Sequence, residues 1–462
     1  MMTRRLRALA LLLAGLCLLF LSTCSELPSL EKRQPAAKVV QLDGAHGPLS
    51  IAHSKAIIDG LQARGGSDNQ LARHLAVEER IVDSPLTTGN QVDLLQDGPQ
   101  TYKAMLSAIA EAREHINMET YIFDDDEVGR QFAAALIAAH QRGVRVSLIR
   151  DSVGTLGTPN AFFQRLTSSG IAIVQFNPVN PLHAKAGWQV NQRDHRKLLI
   201  IDGRTAFLGG INISNVYSGS SLRLRHKART AKPLPWRDTD LKLQGPVVAE
   251  LQQLFLHTWA TQGGRPLLAA DYLPTSEHVG NAVVRAIGSS PDDPYSQIYV
   301  TLIAALRSAQ SEVWISNAYF VPDPQLLAAL QQAAGRGVDV RLLLPSSTDS
   351  WLVLHAGRAH YSELLQAGVK IYERRNALLH VKTAVIDGVW STVGSTNLDW
   401  RSFLHNQEVN AVVLGADFGD KMRAAFVADQ AQATLITLAS WQQRPWRMRI
   451  KEQFGHLWEY WL

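Results

Sequence analysis

Two stretches of the sequence repeat one pattern of polar and apolar residues: HRKLLIIDGRTAFLGGIN at 195–212 and HVKTAVIDGVWSTVGSTN at 380–397. Side chains two positions apart on a strand share a face, so we expect each histidine to face the same way as the lysine that follows it. The apolar run behind each lysine is typical of a buried strand, and Asp-Gly is typical of the turn after it. The chain therefore contains two copies of one structural unit.

The duplication extends upstream of these stretches. AIAEAREHINMETYIF at 108–123 returns as ALRSAQSEVWISNAYF at 305–320, and FAAALIAAHQRGVRVSLIRD at 132–151 returns as LLAALQQAAGRGVDVRLLLP at 326–345. In both copies a helical pattern ends at glycine, which suits a left-handed cap, and a β-branched strand follows. The alternation of helix and strand predicts an α/β protein, and the repeat predicts two pseudo-symmetric lobes.

Composition restricts the classes of function. The 462 residues are 46% hydrophobic and carry a formal net charge of +5, which indicates a globular protein. The two cysteines, Cys17 and Cys24, lie near the start of the chain, which excludes disulfide frameworks and cysteine-bound zinc from the remainder. The nearly balanced charge favours anionic partners but not a dedicated nucleic-acid binder.

The N-terminus has the pattern of an export signal. Arg4, Arg5 and Arg7 precede an apolar run at 8–21, which is too short for a comfortable membrane span. The sequence LSTC resembles a bacterial lipoprotein cleavage box, so a lipid on Cys24, an uncleaved anchor and an ordinary signal peptide are the alternatives. The positive-inside rule then predicts a bacterial membrane location with the catalytic body on the periplasmic or outer face.

Four regions follow from these patterns. We predict a signal or anchor at 1–24, a connector with one helix around 68–81 at 25–89, the first repeat at 90–265 and the second repeat at 266–462. The second repeat ends in a segment rich in tryptophan and basic residues.

The repeated residues predict a pocket for a phosphate diester. One imidazole can attack phosphorus while the other protonates the leaving alkoxide, and the lysines and asparagines can hold the non-bridging oxygens. Side-chain cations supply the positive charge, so we expect neither metal nor other cofactor. The candidate catalytic and phosphate-binding residues are His195, Lys197, Asp202, His380, Lys382 and Asp387, with Asn212 and Asn397.

Carboxylates have two expected roles. An attacking imidazole needs its second nitrogen held, and aligning Gly245 with Gly415 places Asp238 opposite Glu408 as the histidine-orienting pair. The aspartates of the two motifs, Asp202 and Asp387, are expected to secure the turn and its neighbouring backbone. A lone His-Ala-Lys at 183–185 lacks the rest of the motif and is interpreted as structural or as a contact at the pocket rim.

The doubled HxKxxxxD with Gly-Gly or Gly-Ser and Asn resembles the phospholipase D superfamily from about Asn90 to the end. NMETYIF, FLGGINIS and STVGSTNLDWRSFLHNQEVNAVVLG are similar to bacterial cardiolipin synthases of the phospholipase D type. The resemblance implies a duplicated phospholipase D-like fold, two α/β/α lobes with one active site at their interface. It also implies a phosphohistidine on His195, with His380 as acid and then base. Phosphatidylglycerol would accept a phosphatidyl group from phosphatidylglycerol or phosphatidylethanolamine.

Other functions remain open at this point. A hydrolytic phospholipase D would share every catalytic residue, a nuclease would share the scaffold, and a non-catalytic lipid-binding protein would lack a histidine or lysine that this chain retains. Acidic residues at 124–127 disfavour a continuous polyanion. Membrane contact is favoured by the basic stretch at 223–232 and by C-terminal residues that suit the headgroup layer: Trp441, Trp446, Trp458, Trp461, Arg444, Arg447, Arg449 and Lys451. Protein partners and oligomeric state are not predicted.

Overall fold

The computed structural model describes residues 27, 39–65, 70–180, 189, 191–219 and 234–462. The predicted signal or anchor segment with Cys24, the His-Ala-Lys triplet at 183–185 and the basic stretch at 223–232 lie outside these ranges. Within them, no helix combines the length and the apolar character needed to cross a membrane.

The first elements precede the first repeat, and their apolar residues pack in the core of the second lobe. They are β1 (Leu42–Gly44), β2 (Gly47–Pro48), α1 (Ile51–Gly65) and α2 (Gln70–Glu78). Leu61 of α1 and Leu71 and Leu75 of α2 are buried in one core with the second lobe's helices and strands. Residues 25–89, predicted as a connector with one helix, thus contain two helices over their described part. The apolar faces of both helices fix this segment to the second lobe.

The first lobe is one mixed sheet with helices on its faces. Its strands are β3 (Leu86–Gln96), β4 (His115–Thr120), β5 (Arg145–Asp151), β6 (Ala172–Phe176), β7 (Arg193–Asp194), β8 (Leu198–Ile201), β9 (Thr205–Gly209), β10 (Trp236–Arg237) and β11 (Thr239–Gln244). Its helices are α3 (Gly98–Glu111), α4 (Glu127–Gln141), α5 (Asn160–Ser168) and α6 (Val247–Thr261). The main strand order is β6-β5-β4-β8-β9-β11-β3, with the β6-β5-β4 pairs parallel and the rest antiparallel.

The second lobe repeats this topology. Its strands are β12 (Ala282–Ser289), β13 (Glu312–Asn317), β14 (Asp339–Pro345), β15 (Lys370–Arg374), β16 (Leu378–Leu379), β17 (Lys382–Ile386), β18 (Trp390–Gly394), β19 (Asn406–Leu414) and β20 (Ala433–Ile436). Its helices are α7 (Gln297–Ser308), α8 (Pro324–Gly335), α9 (Trp351–Ala359), α10 (Tyr361–Gln366), α11 (Trp400–Leu404), α12 (Ala416–Gln430), α13 (Leu438–Gln442) and α14 (Trp446–His456). The order β15-β14-β13-β17-β18-β19-β12 matches the first lobe strand for strand, and β20 is added at the β15 edge.

The two sheets meet at equivalent edges. Strands β3 and β12 pair antiparallel through Thr87 and Val284, which joins the lobes. A shared core contains apolar residues from strands of both lobes, such as Leu208 and Val393, together with Leu251 and Phe255 of α6. Burial on both faces explains why strand β8 consists of four apolar residues. These features confirm the predicted duplicated α/β fold.

Each lobe also contributes a two-residue strand to the other. Strand β7, just before His195, pairs in parallel with the start of β19, and β16, just before His380, pairs in parallel with β10. The backbone N–H of His195 donates to the carbonyl of Gln407 at 2.9 Å, and that of His380 donates to the carbonyl of Arg237 at 2.8 Å. The exchanged strands therefore fix both histidines at the lobe interface.

Candidate active site

A cleft between the lobes contains both predicted histidines. Its cavity has a volume of about 190 Å³ and is lined by His195, His380, Asn212 and Asn397, among other residues. Residues from sequence positions far apart thus meet in one place. The predicted lysines lie beside the histidines: Nζ of Lys197 is 2.5 Å from the carbonyl oxygen of His195, and Nζ of Lys382 is 2.5 Å from that of His380.

The two candidate orienting carboxylates reach the histidines across the lobe interface. Nδ1 of His195 lies 3.0 Å from Oε1 of Glu408, which belongs to the second repeat. Nδ1 of His380 lies 2.7 Å from Oδ2 of Asp238, which belongs to the first repeat. A carboxylate can only accept, so Nδ1 of His195 carries the proton and its Nε2 keeps its lone pair. Nδ1 of His380 is also 2.9 Å from Nζ of Lys382, but the shorter contact with Asp238 assigns the proton to Nδ1 in this ring too. Neither Nε2 has a hydrogen-bond partner among the described residues.

The small residues of each motif make room for these carboxylates. A Cβ on Gly210 would lie 2.3 Å from Oδ1 of Asp238, so a larger residue there would displace the carboxylate. The second repeat has Ser395 at this position, and its hydroxyl donates to Oε2 of Glu408 at 2.5 Å. Asn406 donates to Oε1 of the same carboxylate at 3.2 Å. The second residue of each motif pair, Gly210 or Ser395, therefore contacts the carboxylate that holds the histidine.

Burial sets the protonation state of the site. It lowers the pKa of His195 to about 4, although Glu408 opposes the shift. Burial and the ammonium of Lys382 also lower the pKa of His380 well below its usual range. Burial lowers the pKa of Lys197 to about 7 and that of Lys382 to about 8. Both imidazoles are therefore neutral near pH 7, while the lysines are close to losing their charge when no anion is bound.

The carboxylates shift in opposite directions. Burial raises the pKa of Asp238 to about 6, and the nearby Lys382 only partly offsets it. Burial also acts to raise the pKa of Glu408, but the contacts with His195, Lys197 and Ser395 outweigh it and the pKa is lowered. Glu408 is therefore held more firmly as an anion than Asp238.

The predicted phosphate-binding asparagines lie on the cavity wall. Oδ1 of Asn212 accepts from the backbone N–H of Ile122 at 3.1 Å, and its Nδ2 donates to the hydroxyl of Tyr217 at 3.0 Å. Asn397 is buried too, and its Oδ1 has no partner among the described residues. Both ends of the Asn212 amide are thus used in hydrogen bonds within the protein, whereas the Oδ1 of Asn397 forms none with the described residues.

The motif aspartates lie outside the cleft, at turns with positive φ of 53° in both copies. Asp202 accepts from the backbone N–H groups of residues 113–115, and Asp387 from those of residues 310–312. Asp387 is also 3.0 Å from Nε2 of His74 on α2. Asp202 and Asp387 were grouped with the catalytic residues by motif, but this geometry places them in the scaffold. They connect the turn after each catalytic strand to the neighbouring strand.

Several residues on the cavity wall were missed by sequence reasoning: Tyr121, Tyr319, Trp236, Arg193, Arg401 and Asp349. Tyr121 and Tyr319 were interpreted as equivalent residues of the two repeats, but they are not: the carbonyl of Tyr319 accepts from the backbone N–H of Leu398, where the first repeat has the carbonyl of Ile122 accepting from that of Ile213. Their rings approach the histidines edge-on, with centroids 5.0 Å and 6.5 Å from those of His195 and His380. All six differ from the residue at the equivalent position of the other repeat, and this difference was a signal available in the sequence.

A group of side chains spaced to hold a metal ion lies elsewhere in the described part of the chain. It consists of His360, His456 and Glu459, near the C-terminus. None of them lines the cleft. The cleft itself offers ammonium groups and imidazoles already paired with carboxylates, so the described residues there fit anion binding better than cation binding.

Comparisons with known proteins identify the family of this chain. Residues 105–222 and 302–430 match the protein family described as "Cardiolipin synthase, PLD-like domain". The chain is 37% identical over 386 residues to the cardiolipin synthase of Geobacillus kaustophilus (strain HTA426), covering 83% of this chain and 74% of that protein. It is 35% identical over 382 residues to cardiolipin synthase A of Pseudomonas putida (strain W619), covering 81% and 76%.

Among solved structures, the fold resembles phosphatidylserine synthase from Haemophilus influenzae Rd KW20. The TM-score is 0.63 over 83% of this chain and 99% of that one. At 12% sequence identity this likeness concerns the fold alone. It agrees with the two-lobed arrangement described above.

Proposed function

Since this chain belongs to the cardiolipin synthase family of phospholipase D-like proteins, we propose that it makes cardiolipin from phosphatidylglycerol and a second phospholipid. It is a phosphatidyltransferase, and phospholipids are its substrates. The donor we propose is phosphatidylglycerol, with phosphatidylethanolamine as the other candidate. The observation that carries the proposal is the pair of neutral histidines in one cleft, each held at Nδ1 by a carboxylate and each with Nε2 unpartnered among the described residues.

The first half of the reaction transfers the phosphatidyl group to the protein. Nε2 of His195 attacks phosphorus and forms a P–N bond, while the bond from phosphorus to the headgroup oxygen breaks. Binding of the anionic phosphodiester raises the pKa of His380, so its ring takes up a proton in the complex, and Nε2 then gives that proton to the departing alkoxide. The firmly ionised Glu408 stabilises the positive charge that the His195 ring acquires, which is why we assign the nucleophile to His195.

The second half reverses these roles. Nε2 of His380 now takes the proton from a headgroup hydroxyl of phosphatidylglycerol, whose oxygen attacks phosphorus as the P–N bond breaks. Lys197, Lys382 and Asn397 are proposed to hold the non-bridging oxygens, where negative charge accumulates. Binding of the anion raises the pKa values of both lysines again, so their charge returns when it is needed.

We also propose that the protein binds a membrane surface through its C-terminal helix. The outer face of α14 and the turn after it carries a stripe of exposed apolar side chains: Trp446 (66% exposed), Ile450 (58%), Phe454 (49%), Leu457 (76%), Trp458 (45%) and Trp461 (45%). Helical periodicity puts these side chains on one face, with Arg447, Arg449 and Lys451 on its flanks. An apolar stripe between cations fits an anionic lipid surface.

This stripe lies next to the cleft. The ring of Phe454 is 6.1 Å from that of Trp351, two residues after Asp349 on the cavity wall. The carbonyl of Leu462 accepts from the backbone N–H of Arg401, another wall residue, at 3.0 Å. A membrane on this face would bring lipid headgroups to the cleft entrance. The proposed periplasmic or outer-face location and the lipid on Cys24 depend on residues 1–24, outside the described ranges.

The membrane part can be tested by vesicle flotation. Replacing Trp446, Ile450 and Leu457 together by serine should reduce binding to vesicles that contain phosphatidylglycerol by at least tenfold. A matched control replaces Leu268 and Val427, which are exposed on other faces. If the triple-serine variant and the control variant bind the vesicles equally well, a lipid contact at α14 is contradicted.

The activity is tested by incubating the full chain with labelled phosphatidylglycerol in mixed micelles containing EDTA, followed by thin-layer chromatography. Cardiolipin and glycerol are the expected products, and a variant with both histidines replaced by alanine is the control. Phosphatidic acid alone would mean that water resolves the intermediate and that the protein is a hydrolase. Absence of lipid products with either donor, together with cleavage of a nucleic acid, would contradict the proposal.

A further inference from the structure

The cleft is asymmetric in charge although its backbone is pseudo-symmetric. Two arginines, Arg193 and Arg401, line the cavity on the His195 side. The positions equivalent to them in the other repeat, at the same offset as the two motifs, are Leu378 and Val216. The catalytic chemistry uses the residues common to both repeats, so this pair of guanidinium groups calls for a separate explanation.

Arg193 is a buried cation with unused donors. It is 2% exposed, and its Nη1 donates to Oγ of Ser152 at 2.8 Å and to the carbonyl of Asn177 at 3.2 Å. Its Nε and Nη2 have no partner among the described residues. The nearest carboxylate, Asp151, is 3.7 Å away and accepts from three backbone N–H groups. Buried donors left unpaired are costly, so a ligand that accepts from them would be strongly favoured.

Arg401 supplies a second cation that forms no salt bridge with a described carboxylate. Asp399 on the same cavity wall interacts with it at longer range, but burial raises the pKa of Asp399 to about 7, so this carboxyl group is only partly ionised near neutral pH. Its guanidinium donates to the side-chain and backbone oxygens of Asn191 at 2.8 and 3.1 Å, which are neutral partners. Among the described residues, no carboxylate lies within 4 Å of it. Burial, and the charge of Arg401 nearby, lower the pKa of Arg193, which agrees with the two cations sharing one region.

The other side of the cleft has the opposite character. Asp349 lies there, and its carboxylate accepts from the hydroxyl of Tyr319 at 2.6 Å and from that of Thr348 at 2.8 Å. Burial acts to raise its pKa, but these hydrogen bonds outweigh it and the pKa is lowered, so Asp349 is an anion. Trp236 occupies the wall where the His195 side has Asn406. An added phosphate would be repelled on this side and attracted on the other.

We propose that Arg193 and Arg401 form a second anion subsite, which holds the phosphodiester of the acceptor phospholipid while its headgroup hydroxyl attacks the phosphohistidine. The inference rests on the proposed function, in which two phosphodiesters joined by a short glycerol chain occupy the cleft together. The histidines and lysines serve the reacting one. The second one, which water and neutral alcohols lack, needs its own cations, and a planar guanidinium is suited to a phosphate.

The subsite predicts how the protein chooses between acceptors. With phosphatidylglycerol as donor and ethanol added to the micelles, cardiolipin and phosphatidylethanol form from one shared intermediate. Their ratio therefore measures acceptor choice independently of the first half-reaction. Arg401→Gln should lower the ratio of cardiolipin to phosphatidylethanol by about tenfold or more, because it removes a charged donor to the second phosphate. Arg401→Lys, which keeps the charge but not the planar guanidinium, should restore part of the ratio.

Controls keep this test decisive. Arg130→Gln, at an exposed arginine outside the cleft, should leave the ratio unchanged. Arg193→Leu, which copies the second repeat, should lower the ratio like Arg401→Gln if it folds. An unchanged ratio in Arg401→Gln, or an equal loss of both products, would overturn the subsite while leaving the transferase intact. Phosphatidylethanol without cardiolipin from the unaltered protein would instead overturn the proposed function.

Discussion

The two halves of the cleft have the same strands and the same histidine and lysine, but they surround them differently. On the His195 side, Glu408 receives hydrogen bonds from Ser395 and Asn406 as well as from the ring. On the His380 side, Asp238 faces Gly210, and among the described residues it receives only the Thr239 backbone N–H in addition to the ring. The pKa of Glu408 is lowered, and that of Asp238 is raised to about 6. The two repeats provide similar histidine sites, and the residues around each carboxylate make Glu408 more firmly ionised than Asp238.

The largest expected effect tests which histidine is the nucleophile. His195→Ala and His380→Ala should each reduce transfer by about 10³-fold or more, because each removes a group that takes part in bond making or proton transfer. Only His380→Ala retains the proposed nucleophile, so samples quenched in denaturant at neutral pH, where the P–N bond survives, should show phosphatidyl-histidine at 195 by peptide mass spectrometry. A modified His380 in the His195→Ala protein would reverse the assignment of the two halves.

The next effect compares the two carboxylates. Glu408→Gln should reduce the single-turnover rate of the first step by about 10²-fold, because the charge on the His195 ring then loses its counter-ion. Asp238→Asn should cost less, about tenfold, because that carboxylate is less firmly ionised. Stopped-reaction assays with labelled phosphatidylglycerol measure both rates. A larger loss of rate in Asp238→Asn than in Glu408→Gln would mean that the different hydrogen bonding of the two carboxylates does not determine which histidine is the nucleophile.

The two lobes also differ in the contacts that hold the aspartate of each motif, and this difference should affect stability. His74 contacts Asp387 in the second lobe, and none of the described residues provides such a histidine at Asp202. His74→Ala should lower the free energy of unfolding of the second lobe by roughly 2 kcal/mol, as expected for a buried hydrogen bond to a charged group. Urea titration followed by tryptophan fluorescence measures it, with the exposed His53→Ala as control. Identical midpoints for both variants would show that α2 contributes no such support.

The smallest effect is on pH dependence. The lysines are charged below their pKa values of about 7 and 8 in the free protein and neutral above them. Because the charged form holds phosphate, kcat/KM should fall as pH rises through 7 to 8, whereas kcat should fall only at higher pH. Lys197→Arg keeps its charge at these values. The ratio of its activity at pH 9 to that at pH 7 should exceed that of the unaltered protein by about tenfold, and equal ratios would exclude Lys197 as the titrating group.

Much of the fold was predictable because the repeat is regular. The helix-to-glycine-to-strand pattern around Arg142 and Arg336 matches α4–β5 and α8–β14, and the two motifs coincide with equivalent strands. Residues 25–89 were harder to interpret. Their leucines have helical spacing, but the spacing does not say which lobe covers them, and they are buried in the second.

The site was predictable in its parts but not in its pairings. Aligned glycines identified Asp238 and Glu408, yet only the exchanged strands determine that each approaches the histidine of the other repeat. A search for what repeats also overlooks what does not. Arg193 and Arg401 were missed for this reason, since Leu378 and Val216 occupy their places in the other copy.

The exchanged carboxylates have a consequence for inheritance. Each acid–histidine pair is encoded half in one repeat and half in the other, so recombination that replaces a single repeat with that of a distant relative alters both pairs at once. A chimaera of this kind retains two complete motifs, but each of its histidines is paired with a carboxylate that evolved in a different protein. We expect the two halves of such a gene to tolerate change only when they change together.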